Sequence, residues 1–133
     1  MIMIDTSVLV EIDEVRLPDD SLHLSAISLA ELRFGISRAR TIEERNLRVR
    51  RLARIENLIP TAWLPFDDRA ASGAGEISAV ISRTRPGHAR SRDALLAGHA
   101  YAIGAQILTL NPKDFELVAD RVGVVVAERI DGS

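Results

Sequence analysis

Short apolar runs alternate with segments of helical period along this chain, and that order restricts its fold more than any other feature. Residues 1–4 are apolar without alternation, the pattern of a central parallel strand covered on both faces. Residues 6–12 read as a short helix, and Pro18-Asp19-Asp20 as a turn. Residues 23–27 read as a second strand, followed by a helix over 28–40 with Leu29, Leu32 and Ile36 on one face. Residues 43–59 continue helically, with Val49, Leu52, Ile55 and Ile59 as the apolar stripe. Pro60 and Pro65 bracket an irregular or extended link through Trp63. Asp67 is placed to cap a helix carrying Ala70, Ala74, Ile77 and Ile81, in which Gly73 and Gly75 permit close packing.

The basic loop 83–90 leads to a helix over 92–103, which Gly104 is suited to end. A strand over 105–110, a short helical segment over 111–120 and a last strand over 122–126 complete the pattern. Alternating βα order with short links predicts a three-layer α/β/α sandwich around a central, mostly parallel sheet, one domain spanning residues 1–133.

Composition narrows the class. A 47% hydrophobic and 27% charged chain is an ordinary globular one, and no apolar run reaches the ~20 residues of a bilayer span, so no membrane association is expected. Asp5 and Glu11 interrupt any signal-like apolar stretch. With no cysteine there is no disulfide, thiol nucleophile or thiolate zinc site, and a cytoplasmic location is expected. The net charge of −2 conceals an asymmetry: seven arginines between Arg38 and Arg54 face only Glu43 and Glu44. That basic stretch suits polyanion phosphates, and equally a solvated helix face.

Four acids stand where strand-like runs give way to helix-like ones: Asp5, Glu31, Asp93 and Asp114. A parallel sheet gathers such junctions along one edge, where folds of this kind place their ligands. Each acid also has a local explanation. Asp5 can N-cap the first helix, and Ser28-Leu29-Ala30-Glu31 reads as a capping box. Asp93 falls in a first helical turn, while Asn111-Pro112-Lys113-Asp114 offers an Asn cap with an acid at N3. Jointly, however, caps do not require acids, and crowded carboxylates repel unless cations sit among them. Oxygen-rich sites of this kind suit Mg²⁺ or Mn²⁺, ions that support phosphodiester hydrolysis.

Met-Ile-Met-Ile-Asp5-Thr6-Ser7, Ser28-Leu-Ala-Glu31-Leu-Arg33-Phe-Gly35, Arg92-Asp93-Ala-Leu-Leu-Ala-Gly-His99-Ala and Leu108-Thr109-Leu-Asn111-Pro-Lys-Asp114-Phe115 together resemble a PIN domain, and more narrowly the VapC toxins of bacterial toxin–antitoxin pairs. The resemblance covers nearly the whole chain in order and spacing. It implies a PIN-like fold and a Mg²⁺-dependent endoribonuclease, with Mn²⁺ able to substitute, acting on tRNA or ribosomal RNA to inhibit translation. By the same resemblance Asp5, Glu31 and Asp93 match the three core metal-site acids. Asp114 matches the acid of the closing block, although some members carry that acid where this chain has Asn111. Thr6 and Thr109 match polar positions bordering the pocket. A homodimer and a cognate VapB-like antitoxin are implied as well.

Other residues are weaker candidates. His99 lies six residues after Asp93, off its helical face, and reads as a packed core histidine. Ser7 has no recognisable His/Asp partners for nucleophilic chemistry. Arginines of the 43–55 helix and the 83–92 loop are candidate phosphate contacts. The rival readings are a dehalogenase-type phosphatase, for which Ser7 stands where a second Asp belongs, a phospho-receiver using Lys113, and an inactive interaction module.

Overall fold

A computed structural model describes residues 1–131; Gly132 and Ser133, the end of the expected domain span, lie outside the described residues. In chain order the elements are β1 (Ile2–Ile4), α1 (Thr6–Leu9), β2 (Val15–Arg16), β3 (Leu22–Ser25), α2 (Ala26–Ser37), α3 (Ile42–Leu58), β4 (Trp63–Leu64), α4 (Asp68–Ser82), α5 (Arg92–Ile103), β5 (Gln106–Thr109), β6 (Val124–Val126) and β7 (Glu128–Arg129). Two 3₁₀ turns, Pro86–His88 and Pro112–Val118, link α4 to α5 and β5 to β6.

Five strands form a sheet in the order β4-β3-β1-β5-β6, every neighbouring pair parallel. The chain winds outward from β1 through β3 to β4, then returns to lay β5 on the other side of β1. The reversal makes the C-terminal ends of β1 and β5 the switch point at which open α/β sheets leave a crevice.

Both faces of the sheet are covered, as the unalternating strand sequences anticipated. Ile2 and Ile4 pack with Val8, Leu32, Ile36, Leu52, Ile55 and Leu108 under α1, α2 and α3. Met3 and Ile107 turn the other way, onto Ile77, Ile81, Leu96, Ala97 and Phe115. A period-two strand thus feeds two separate cores, giving the three layers expected.

Some local expectations hold and others are revised. The first helix stops at Leu9, because residues 10–14 turn to place β2 against β7 as an antiparallel ribbon. The Pro60–Pro65 link contains β4, which adds an edge strand beside β3. The short helical segment expected over 111–120 is present as a 3₁₀ turn, Pro112–Val118. Val49 is exposed, so only Leu52, Ile55 and Ile59 of the anticipated stripe reach the core. Gly73 does allow close packing, since a Cβ there would strike the carbonyl of Gly98, but Gly75 faces open space. Gly104 ends α5 at φ 72°, a conformation glycine adopts without penalty.

Candidate active site

Each of the four acids reaches the switch-point crevice by a different route. Asp5 directly follows β1, its N–H still donating to Leu108 O across the sheet at 2.9 Å. Glu31 sits in the second turn of α2, the helix that follows β3. Asp93 is in the first turn of α5, whose N-terminus lies at this edge because the helix runs antiparallel to β5. Asp114 enters from the 3₁₀ segment after β5, its N–H bonded to Asn111 O at 3.0 Å. All four line one shallow cleft of about 230 Å³, together with Thr6, Ser7, Val10 and Asn111.

The capping explanation fails at these positions. Asp5 occupies an N-cap position without a side-chain cap bond, and so does Asn111. α2 is capped by Ser25, whose Oγ accepts from Ile27 N–H, so Ser28 and Glu31 form no capping box. In α5 Ser91 Oγ accepts from Ala94 N–H, leaving the Asp93 carboxylate outside the cap. Serines do this work at lower electrostatic cost. Side-chain capping therefore accounts for none of the four, although Asp93 and Asp114 do stand in first turns, where a helix end favours an anion.

Hydroxyls hold two of the carboxylates in place. Asp5 is 5% exposed, and its Oδ2 accepts from Ser7 Oγ and Thr109 Oγ1, each at 2.7 Å. Those hydroxyls are themselves fixed by backbone donors: Leu110 N–H to Ser7 Oγ at 3.1 Å, and Asn111 N–H to Thr109 Oγ1 at 2.9 Å. Short hydroxyl–carboxylate bonds of this kind are charge-assisted and orient the acceptor. With Oδ2 saturated, Oδ1 is the oxygen left for another ligand. Thr6 Oγ1 donates to Glu31 Oε1 at 3.1 Å and touches Ser28 Oγ at the same distance. Sequence spacing does not announce Ser7 or Ser28 as site residues: Ser7 bonds Asp5 two residues away but is tied to Thr109 across 102, and Ser28 meets Thr6 across 22.

The electrostatics record the crowding. Burial, then the charges of Asp5, Asp114 and Glu31, push Asp93 up to about 6, against a small opposing effect of Arg92. Burial also raises Glu31; the Thr6 hydroxyl and Arg92 oppose that rise and Asp5 adds to it. Arg92, 3.6 Å from Glu31 Oε2 and largely exposed, is the cation nearest these acids, and as a surface pair it compensates them only weakly. Among the described residues no group of three His, Cys, Asp or Glu side chains closes tightly enough to hold an ion unaided.

A basic groove of about 600 Å³ begins at Thr6 and Glu31 and continues past Arg92, Arg38, Arg40, Arg48 and Arg51. Not every arginine of α3 faces it: Arg50 and Arg54 line the hollow against residues 10–14, where Arg54 pairs with Asp13 at 2.9 Å. Arg51 lines both hollows, and its buried Nε has no hydrogen-bond partner. His99 is 2% exposed, its Nδ1 2.8 Å from Ser25 Oγ and its ring edge-on to Phe66 at 5.7 Å. It is a core histidine, as expected.

The PIN-domain family profile matches residues 2–121. Over 97 residues the sequence is 35% identical to the tRNA(fMet)-specific endonuclease VapC of Shigella flexneri, covering 71% of this chain and 67% of that protein. The chain belongs to the VapC-type PIN-domain family. Solved structures agree in architecture. FitAcB from Neisseria gonorrhoeae superposes with a TM-score of 0.73 at 27% identity, over 93% of this chain and 96% of that one. VapBC2 from Rickettsia felis, solved bound to a DNA fragment from their promoter, has the same PIN fold, with a TM-score of 0.75 at 21% identity over 96% and 100% of the two chains. For this PIN domain the resemblance in the four sequence blocks thus extends to the whole topology. PIN-domain nucleases generally use a divalent metal, and the cleft supplies the hard oxygen donors such ions take.

Proposed function

We propose that this protein is a Mg²⁺-dependent endoribonuclease, the toxin of a type II toxin–antitoxin pair, which hydrolyses phosphodiester bonds in tRNA or ribosomal RNA and so inhibits translation. The observation that carries the reading is the convergence of four carboxylates on the β1–β5 switch point, with Asp93 driven up to about 6 by burial and its acidic neighbours. Asp5, Glu31 and Asp93 would hold the ion, and Asp114 would complete the acidic pocket and orient the attacking water. Mg²⁺ retains much of its water and needs only one or two direct carboxylates, so spacing too wide for a tight cage suits it. Mn²⁺ would substitute with the same donors. When bound, such an ion supplies charge against phosphoryl oxygens and acidifies water.

The remaining work belongs to the protein. Ser7 and Thr109 hold Oδ2 of the buried Asp5 carboxylate, leaving Oδ1 for the ion. Thr6 does the same for Glu31. Arg38, Arg48, Arg51 and Arg92 offer phosphate contacts along the groove that opens into the cleft. The complexes of toxin and antitoxin among the structural relatives support a VapB-like antitoxin as partner, and a homodimer is part of the same proposal. Among the described residues no helix is long and apolar enough to cross a membrane, which fits a cytoplasmic site of action.

The test is cleavage of tRNA and ribosomal RNA by purified protein in Mg²⁺ or Mn²⁺, beside Asp5→Asn and Asp93→Asn. Cleavage in the presence of the metals, lost with chelator and in both variants, supports the reading. Cleavage that survives chelation, or variants that keep full activity, contradicts it.

A further inference from the structure

A second cavity adjoins the carboxylate cleft on the side away from Glu31. It encloses about 210 Å³ and shares Asp93 and Asp114 with the cleft as a common wall. Its floor is apolar, made by Ile81, Ala94, Ala97, Phe115 and Val118, four of them 1% exposed or less and Ile81 8%. The rim is different in kind. Arg85 and His88 stand over it from the turn between α4 and α5, and Lys113 from the 3₁₀ segment after β5. Neither Arg85 nor Lys113 pairs with a carboxylate among the described residues. Ser91 Oγ accepts from Ala94 N–H, which leaves its own proton for an acceptor.

An apolar floor beneath unpaired cations and a hydroxyl donor is the chemistry of a site for a flat heterocycle carrying acceptor atoms and a nearby phosphate. The volume is below the ~300–1,000 Å³ of pockets that take drug-sized ligands, so one ring system fits and a chain of them does not. Its position decides which ring. A strand whose scissile phosphate lies over the four carboxylates must carry its adjacent nucleotide past Asp93 or Asp114, into this cavity or away from it.

We propose that the cavity is a nucleobase pocket, receiving one unpaired base next to the scissile phosphate, with Arg85 and Lys113 holding that nucleotide's phosphate and base edge. The inference rests on the nuclease reading above. It makes cleavage depend on a splayed-out base at one flanking position, which restricts substrates to loops, bulges or single strands rather than continuous duplex.

The experiment has two arms. In the first, amide shifts of Ala94, Ala97, Leu117 and Val118 are followed by NMR as the metal-free protein is titrated with the four nucleoside 5′-monophosphates and with ribose 5-phosphate. At least one nucleotide is expected to move these amides and ribose 5-phosphate not to. Arg85→Ala and Lys113→Ala should each weaken that response several-fold, and Leu117→Trp, which fills the cavity from its half-buried rim, should abolish it. In the second, RNA substrates carry an abasic nucleotide at each position around the cleavage site. One flanking abasic position should lower kcat/KM by about tenfold or more in the wild type, and cause no further loss in Leu117→Trp. No nucleotide response, or an equal response to ribose 5-phosphate, overturns the pocket even if RNA is cleaved. Indifference to every abasic position overturns it as well. A nucleotide response in a protein that cleaves no RNA upholds the pocket and contradicts the nuclease reading instead.

Discussion

Thr109 Oγ1 donates to Asp5 Oδ2 at 2.7 Å across 104 residues of sequence, joining the C-terminal ends of β5 and β1 at the point where the sheet reverses its winding. Thr109 is fully buried and its bond to Asp5 is shielded from water, while the Asn111 N–H it accepts is part-buried. The link ties the position of an acid to the integrity of the sheet.

Thr109→Val retains the shape and removes the hydroxyl. It leaves Asn111 N–H without its acceptor and Asp5 with Ser7 as sole hydroxyl donor, a cost of about 1–3 kcal/mol in urea unfolding. Because the aim of Asp5 loosens as well, cleavage should fall roughly 10–100-fold, as when support is taken from a ligand residue. Thr109→Ser should recover both. A valine variant with unchanged stability and rate contradicts the account of Asp5.

Two glycines of α4 should respond oppositely to alanine. A Cβ on Gly73 would run into the carbonyl of Gly98 in α5, as one on Gly98 would into the backbone of Ala74. Gly73→Ala or Gly98→Ala therefore forces the helices apart, at a cost of about 3 kcal/mol or more. Gly75 meets nothing within 4 Å, so Gly75→Ala should stabilise by ~0.5–1 kcal/mol. Melting temperatures of the three variants check the pair of signs.

Stability of the metal-free protein should change with pH in two opposite senses, the raised acids Asp93 and Glu31 against the lowered His99. Asp93 sits at about 6 against an ordinary 3.8, so the folded state binds its proton more tightly than the unfolded chain does. Its penalty is complete above about pH 6 and is relieved as pH falls toward 3.8. The ceiling is about 3 kcal/mol, and partial exposure reduces it to roughly half. Burial lowers His99, so the unfolded chain is protonated first and stability is lost as pH falls through 6.5. Urea midpoints in chelator, compared between wild type and Asp93→Asn, isolate the first effect: the variant should be the more stable at pH 7 and lose that advantage by about pH 4. Parallel curves at all pH values would sink this reading of Asp93.

The sequence carried the layers because β1 is an unbroken apolar run buried on both faces, because Ile107 and Leu108 of β5 are buried into opposite cores, and because Gly104 marks the end of α5. It also placed the four acids at one edge, since junction order determines which residues a parallel sheet brings together. What it left out depended on distant partners. β2 is made a strand by Arg129 and Glu128, and β4 by Leu24 and Ser25, neither of which a two-residue run announces. The choice between Ser25 and Ser28 as the cap of α2 turned on where β3 ends, beyond the reach of a local motif. Ser7 looked inert because the chemistry considered for it was nucleophilic, whereas its contacts, to Asp5, Thr109 and Leu110, serve to position a carboxylate.

If these carboxylates form a cation site, the titration of Asp93 itself reports the ion. Carbon-detected NMR of the Asp93 carboxyl should give a midpoint near 6 in chelator. Millimolar Mg²⁺ should lower that midpoint, because a bound cation favours the ionised form. Asp5→Asn should blunt the response to the ion. A midpoint that Mg²⁺ does not move, in a protein whose Asp93 still titrates near 6, contradicts the cation site.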